Sequence, residues 1–107
     1  MKLGIILNTN DAETSWNCLR LGNTALKSEH KAKIFLLGNG VELDELRNKK
    51  FNVQEQLDLF IQNKGQILAC GTCMKSRQKQ GSTVCPISTM NDLLKIVEES
   101  DKILTFG

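Results

Sequence analysis

A three-layer α/β/α fold around a mostly parallel sheet of about five strands is what this sequence predicts, and three observations predict it. Short apolar runs alternate about five times with stretches of helical spacing. The links between them are short, as in βα repeats. The apolar runs are continuous where a strand with one wet face would alternate with polar residues, so they read as strands buried on both sides.

Lys2 to Asn8 is the first such run, with two consecutive isoleucines, and the Asn-Thr-Asn-Asp after it is turn chemistry. From about Thr14 to Ser28 the residues Trp16, Cys18, Leu19, Leu21, Ala25 and Leu26 give a broad apolar face at helical spacing, broken by Gly22. Ala32 to Leu37 is the second strand, closed by a tight turn at Gly38-Asn39-Gly40. Asn52 followed by Glu55 resembles a capping box for a helix carrying Val53, Leu57, Phe60 and Ile61 on one face until Gly65. Gln66 to Ala69 is the third strand. Ser82 to Ile87 is a weak fourth strand whose proline argues for an edge. Thr89 with Asp92 opens a last helix in which Met90, Leu93, Leu94 and Val97 follow i, i+3, i+4, i+7, and Lys102 to Phe106 closes the chain as a strand.

The 107 residues predict a single domain spanning 1–107, able to bury about 60–65% of its unfolded surface and fold without covalent help. A net charge of +2 with 24% charged residues is ordinary for a soluble domain and lacks the basic face of a nucleic-acid binder. No apolar run is long enough to span a bilayer, and the N-terminus lacks a signal-peptide core, so neither nucleic acid nor membrane is an expected partner and the expected location is cytoplasmic. There, four cysteines with two in a C-x-x-C point to catalytic, redox or metal chemistry more than to a disulfide framework.

The chemistry is expected in the stretch Gln66 to Arg77. Its strand ends at Cys70, Gly71 lets the backbone turn sharply, Thr72 is the expected N-cap, and Cys73 onward reads as the first turn of a short basic helix. A thiol at such a junction faces unpaired amides and the positive end of a helix dipole, with Lys75 and Arg77 close by. The expectation is a depressed thiol pKa and a reactive, anionic Cys70. In a parallel sheet, ligands gather at the carboxyl ends of strands, so Cys70, Asn8 to Asn10, the Gly38 to Glu42 loop and the strand end near Cys85 should share one rim.

Three stretches then carry a resemblance. Ser-Trp-Asn-Cys-Leu-Arg-Leu-Gly-Asn-Thr-Ala-Leu (15–26), Ala-Lys-Ile-Phe-Leu-Leu-Gly-Asn-Gly-Val-Glu (32–42) and Ala-Cys-Gly-Thr-Cys-Met-Lys-Ser-Arg (69–77), followed by Ile-Ser-Thr-Met-Asn-Asp-Leu (87–93), resemble the small DsrE/DsrF-like proteins, relatives of the TusD-type sulfur-relay subunits. The resemblance implies a homo- or hetero-oligomer, often trimeric or hexameric, whose strand-end cysteine carries sulfur as a persulfide. That cysteine matches Cys70. The partners implied are sulfur donor and acceptor proteins or small thiols, with no cofactor. In this chemistry Cys70 is nucleophile and carrier, the backbone amides of Gly71, Thr72 and Cys73 hold the terminal sulfur, and Lys75 or Arg77 adds positive field. Cys73 resolves the persulfide by attacking Cys70. The relay subunits proper do not generally carry this second cysteine.

Rival readings are distinct. A structural or redox-sensing oligomeric subunit of the same fold would leave the cysteines as spectators or sensors. A dithiol oxidoreductase would use the C-x-x-C pair directly, although thioredoxin places its motif after its first strand and this chain places it after the third. A zinc site would need Cys70, Cys73 and Cys85 plus His30 or Cys18, but the second paired half-site of structural zinc is missing, and no metal is expected. Cys18 and Cys85 read as packing residues, Glu42 as a solvated carboxylate, His30 as a surface loop residue, and the Arg47, Lys49, Lys50 cluster as a solvated loop.

Overall fold

The computed structural model describes residues 1–107. Ten elements follow in order: β1 (Lys2–Leu7), α1 (Ala12–Lys27), β2 (Lys31–Leu36), a 3-10 segment (Gly38–Glu45), α2 (Val53–Gln62), β3 (Gln66–Cys70), α3 (Gly71–Ser76), β4 (Ile87–Ser88), α4 (Met90–Glu99) and β5 (Lys102–Phe106). The five strands form one sheet in the order β4-β3-β2-β1-β5, and every neighbouring pair is parallel.

Register explains the core. Ile5 stands beside Ile34 and Leu104, and Ile34 beside Ile67. Leu3, Ile5, Leu7, Ala32, Ile34, Leu36, Ile67 and Ala69 thus share one face, and all are buried. Side chains alternate across a strand, so the other face carries Gly4, Ile6, Phe35 and Leu68. A Cβ on Gly4 would meet Ile96, Ser100 and Ile103, which places α4 on that second face. The first face is covered by α1 and α2, which bury Cys18, Leu19, Ala25, Val53, Leu57 and Phe60.

Chain direction accounts for this split. From β1 to β4 the strands step outward one place at a time, and α4 then carries the chain back across the sheet to β5, beside β1. Right-handed crossovers running in opposite directions put their helices on opposite faces.

The helix starts follow capping chemistry. Asp11 accepts from the Thr14 amide at 2.9 Å, so α1 opens two residues earlier than Thr14, the start expected from its apolar spacing. Asn52 accepts from the Glu55 amide at 3.1 Å, as the capping-box pattern anticipates. Thr89 accepts from the Asp92 amide at 3.2 Å.

Two elements depart from the sequence reading. The stretch Ser82 to Pro86 is a turn closed by the Ser82 amide on the Cys85 carbonyl at 3.2 Å, and β4 begins only after the proline. Proline cannot donate to a ladder, but its carbonyl can accept, and Pro86 accepts from the Ala69 amide at 3.0 Å. In α4 the sheet-facing residues are Leu93 and Ile96, whereas Met90, Leu94 and Val97 are exposed at 58%, 57% and 45%. The expected apolar stripe exists, and most of it points away from this chain's own core.

Candidate functional site

The travel direction reverses at β4, whose carboxyl end stands beside that of β3 with Cys70 in register with Ser88. Ligand crevices in open α/β sheets form where such reversals occur. Cys70 is the last residue of β3 and occupies the N-cap position of α3. Thr72, the expected cap, lies inside the first turn and is exposed. The helix can begin this early because Gly71 presses against β4. A Cβ there would lie 3.1 Å from both the Ile87 side chain and the Ser88 carbonyl oxygen. Gly71 therefore serves close approach between elements, and its φ is not in the left-handed region. Met74, 1% exposed, pins α3 to the core.

The expectation of an acidified Cys70 is overturned by burial. Cys70 is 3% exposed, and loss of solvent pushes its thiol above the ordinary value. The amides of Cys73 and Thr72 act in the opposite direction, toward thiolate, but without closing a cap hydrogen bond onto the sulfur. The Cys73 side chain adds to the upward push, because charge on one sulfur disfavours charge on the other. With only six residues, α3 contributes a small dipole.

The two basic residues are not aimed at Cys70. Lys75 is exposed. The Arg77 guanidinium turns to the neighbouring loop, donating to Asn39 Oδ1 at 2.7 Å and to the Cys73 carbonyl at 3.0 Å, and approaching Glu42 at 3.8 Å. Neither cation is among the groups that shift the Cys70 thiol. Glu42 also accepts from Asn10 Nδ2 at 3.5 Å, so Asn10, Asn39, Glu42 and Arg77 form a polar rim over the strand ends.

Cys73 is half-buried and so is the more open of the two thiols. Its sulfur accepts from the Gly38 amide at 3.3 Å. Gly38 has φ +52°, and the site of its absent Cβ lies 2.6 Å from Asn8 Oδ1, so glycine suits the position twice over. The sequence reading placed a tight turn here and missed this contact. The tight turn at Gly38-Asn39-Gly40 was legible, but the target of its amide was not. Ser88 was missed too. It is buried beside Cys70, and its hydroxyl donates to Asp92 Oδ2 at 2.6 Å, which lowers the Asp92 carboxyl below its usual range.

Cys18 and Cys85 are sealed away, with burial pushing each thiol up to about 12. The strand end near Cys85 was expected on the rim, and Cys85 itself, read as a packing residue, is buried at 1% exposure, with the Asp44 carboxylate raising its pKa further and Lys79 opposing. Lys79 ties this region down, with its Nζ at 2.8 Å from Asp44 and 3.3 Å from Glu45. His30 stands at the amino end of the sheet, its Nδ1 2.8 Å from the Met1 amino group. The zinc candidates are therefore not assembled, and no group of three or more His, Cys, Asp or Glu is placed to hold a metal ion.

The three main surface hollows, of about 130, 330 and 360 Å³, are lined by residues such as Lys2, Leu21, His30, Lys33, Lys64 and Leu104. None of the three includes a cysteine.

The model of the DsrE/DsrF-like family matches residues 1–106. An uncharacterized protein of Methanocaldococcus jannaschii is 32% identical over 100 residues, covering 88% of this chain and 88% of its own length. Another, from Methanopyrus kandleri, is 32% identical over 100 residues, covering 88% and 83%. Among solved structures, the YchN protein from E. coli is similar with a TM-score of 0.81 at 24% identity, covering 99% of this chain and 100% of its own. A conserved protein of unknown function from Bacteroides thetaiotaomicron has a TM-score of 0.76 at 21% identity, covering 97% and 93%. At these identities the two structures establish a shared fold. No helix of the chain is long and apolar enough to cross a membrane.

Proposed function

This chain belongs to the DsrE/DsrF-like family, and on that premise we propose that it accepts and passes on sulfane sulfur as a persulfide on its Cys70–Cys73 pair. The observation that carries the reading is the pair itself: two free thiols, one helical turn apart, at the carboxyl edge of a parallel sheet, beside the polar rim of Asn10, Asn39, Glu42 and Arg77. The family is broadly linked to sulfur relay.

Cys70 is the carrier in this reading. Its persulfide is screened from water, and the amides of Thr72 and Cys73 favour negative charge on the sulfur chain. Delivery transfers the outer sulfur to an acceptor thiolate, returning Cys70 as thiolate. Alternatively the Cys73 thiolate attacks the inner sulfur of the Cys70 persulfide, expelling hydrosulfide and leaving an internal disulfide. The one-turn spacing of the two cysteines favours this second outlet, the dithiol chemistry of a C-x-x-C.

The working form is an oligomer. The exposed Met90, Leu94 and Val97 stripe on α4 supports this, because a second copy laid against it would shield three apolar side chains now in water. The partners are sulfur donors and acceptors, either proteins or small thiols.

The test is mass measurement after incubation with a persulfide donor. The wild type should gain about 32 Da, one sulfur atom, and the double variant Cys70→Ser/Cys73→Ser should gain nothing. A wild type that stays unmodified would favour a structural or redox-sensing subunit of the same fold.

A further inference from the structure

The two sulfurs differ in access. Cys73 is half-buried, whereas Cys70 is 3% exposed at the junction of β3, β4 and α3. Thiolate attack on a sulfane sulfur needs an open line of approach to the attacking atom. Cys73 meets that need as it stands, while an external donor would have to part α3 from β4 to reach Cys70.

The contacts of Cys73 suit a thiol that attacks and is then expelled. Its sulfur accepts the Gly38 amide at 3.3 Å, and that amide comes from the 3-10 segment, across the rim from α3. Such a donor holds the sulfur in place and stabilises negative charge on it both before attack and when it leaves. Cys70, the N-cap of α3, stands one turn before Cys73, near enough for charge on one sulfur to act on the other.

We propose that Cys73 is the thiol that takes sulfane sulfur from the donor, and that Cys70 receives it from Cys73 in a second, internal step. This assignment rests on the persulfide-carrier reading above and adds the order of the two thiols to it.

The steps balance without any further reactant. The Cys73 thiolate attacks the outer sulfur of a donor persulfide, forming a Cys73 persulfide and releasing the donor as thiolate. The Cys70 thiol then gives its proton to the terminal sulfur of that persulfide. As a thiolate, Cys70 attacks the same sulfur, the S–S bond to Cys73 breaks, and the electron pair returns to Cys73. Cys73 is regenerated as the thiolate facing Gly38, and the sulfur sits on Cys70 out of reach of bulk thiols. Delivery runs the same path in reverse.

Time-resolved loading decides the order. The full-length protein is mixed with cysteine persulfide, quenched with an alkylating reagent at increasing times, and fragment ions of the peptide from Gly65 to Lys75 locate the added 32 Da, about one sulfur atom. Sulfur is expected on Cys73 first and on Cys70 later. In Cys73→Ser, loading of Cys70 should slow by about tenfold or more, whereas Cys70→Ser should load Cys73 at the wild-type rate. A Cys73→Ser variant that loads Cys70 at the wild-type rate overturns the order while leaving the carrier reading intact. A wild type that takes up no sulfur on either cysteine overturns both. Native wild-type protein gives a check that needs no variant: iodoacetamide should modify Cys73 ahead of Cys70, and the reverse order would refute the assignment.

Discussion

The backbone amide of Gly38 donates to the sulfur of Cys73 at 3.3 Å, joining residues 35 apart in the chain. One comes from the loop after β2 and the other from the helix after β3. Those strands are hydrogen-bonded neighbours, with Leu36 in register with Ala69, so their carboxyl ends meet. The contact is a product of sheet order, and it makes a glycine turn part of the thiol site.

Substituting Gly38 tests that contact. A Gly38→Ala chain must hold a Cβ at φ +52° against the Asn8 side chain. The left-handed conformation alone costs about 1–2 kcal/mol for a residue other than glycine. A lower melting temperature is expected, together with a changed alkylation rate at Cys73 and an unchanged one at Cys18. Unaltered Cys73 reactivity in a folded variant would show that the amide has no hold on the sulfur.

The buried thiols make stability fall in alkali. Cys18 and Cys85 are raised from the ordinary 9.0 to about 12, so above pH 9 the unfolded chain loses these protons while the folded chain keeps them. The folded state then binds more protons, and the free energy of unfolding drops by about 1.4 kcal/mol per pH unit for each thiol. The contribution is fully present below pH 9 and is lost progressively between pH 9 and 12. Urea midpoints measured from pH 8 to 11 should decline, and more shallowly in Cys18→Ala than in the wild type. Equal slopes in the two proteins would count against a sealed Cys18.

Lys79 is expected to hold the loop that covers Cys85. Its side chain is 12% exposed and bonds Asp44 and Glu45 on the 3-10 segment, and these carboxylates raise its pKa although burial alone would lower it. Lys79→Met should cost about 1–2 kcal/mol, between the values for surface and buried pairs. Iodoacetamide labelling of Cys85 under native conditions should quicken at least severalfold. Labelling at the wild-type rate would mean that packing alone covers the thiol.

The stripe on α4 predicts the effect of charge on assembly. Leu94→Asp places a carboxylate amid Met90 and Val97, both already exposed, so the fold should hold with a change in stability of about 0.5 kcal/mol or less. If a second copy covers the stripe, the variant should elute as a smaller species than the wild type on size exclusion with light scattering. A wild type that is itself a monomer at micromolar concentration would remove the oligomer from the proposal.

Local pattern alone determined most elements of this protein. Runs such as Gly4 to Leu7 and Ile34 to Leu37 read as buried strands, the 3.6-residue spacing after them as helices, and Asn52 and Thr89 announced their caps from side-chain chemistry two or three residues deep. The position of Cys70 at a strand end was legible for the same reason. Tertiary structure decided everything that depends on what stands across from a residue. The electrostatics of Cys70 look acidifying along the chain, but desolvation by β4 and the core outweighs the short helix, and desolvation is set by residues distant in sequence. Arg77 lies near Cys70 in the chain and faces Asn39 in space. The periodicity of α4 fits two faces, and the placement of Gly4 beneath Ile96 chose which one turns inward. A chain's own periodicity governs its local conformation, whereas solvent exposure and charge partners belong to the packed sheet, and those set which of two neighbouring thiols meets the outside.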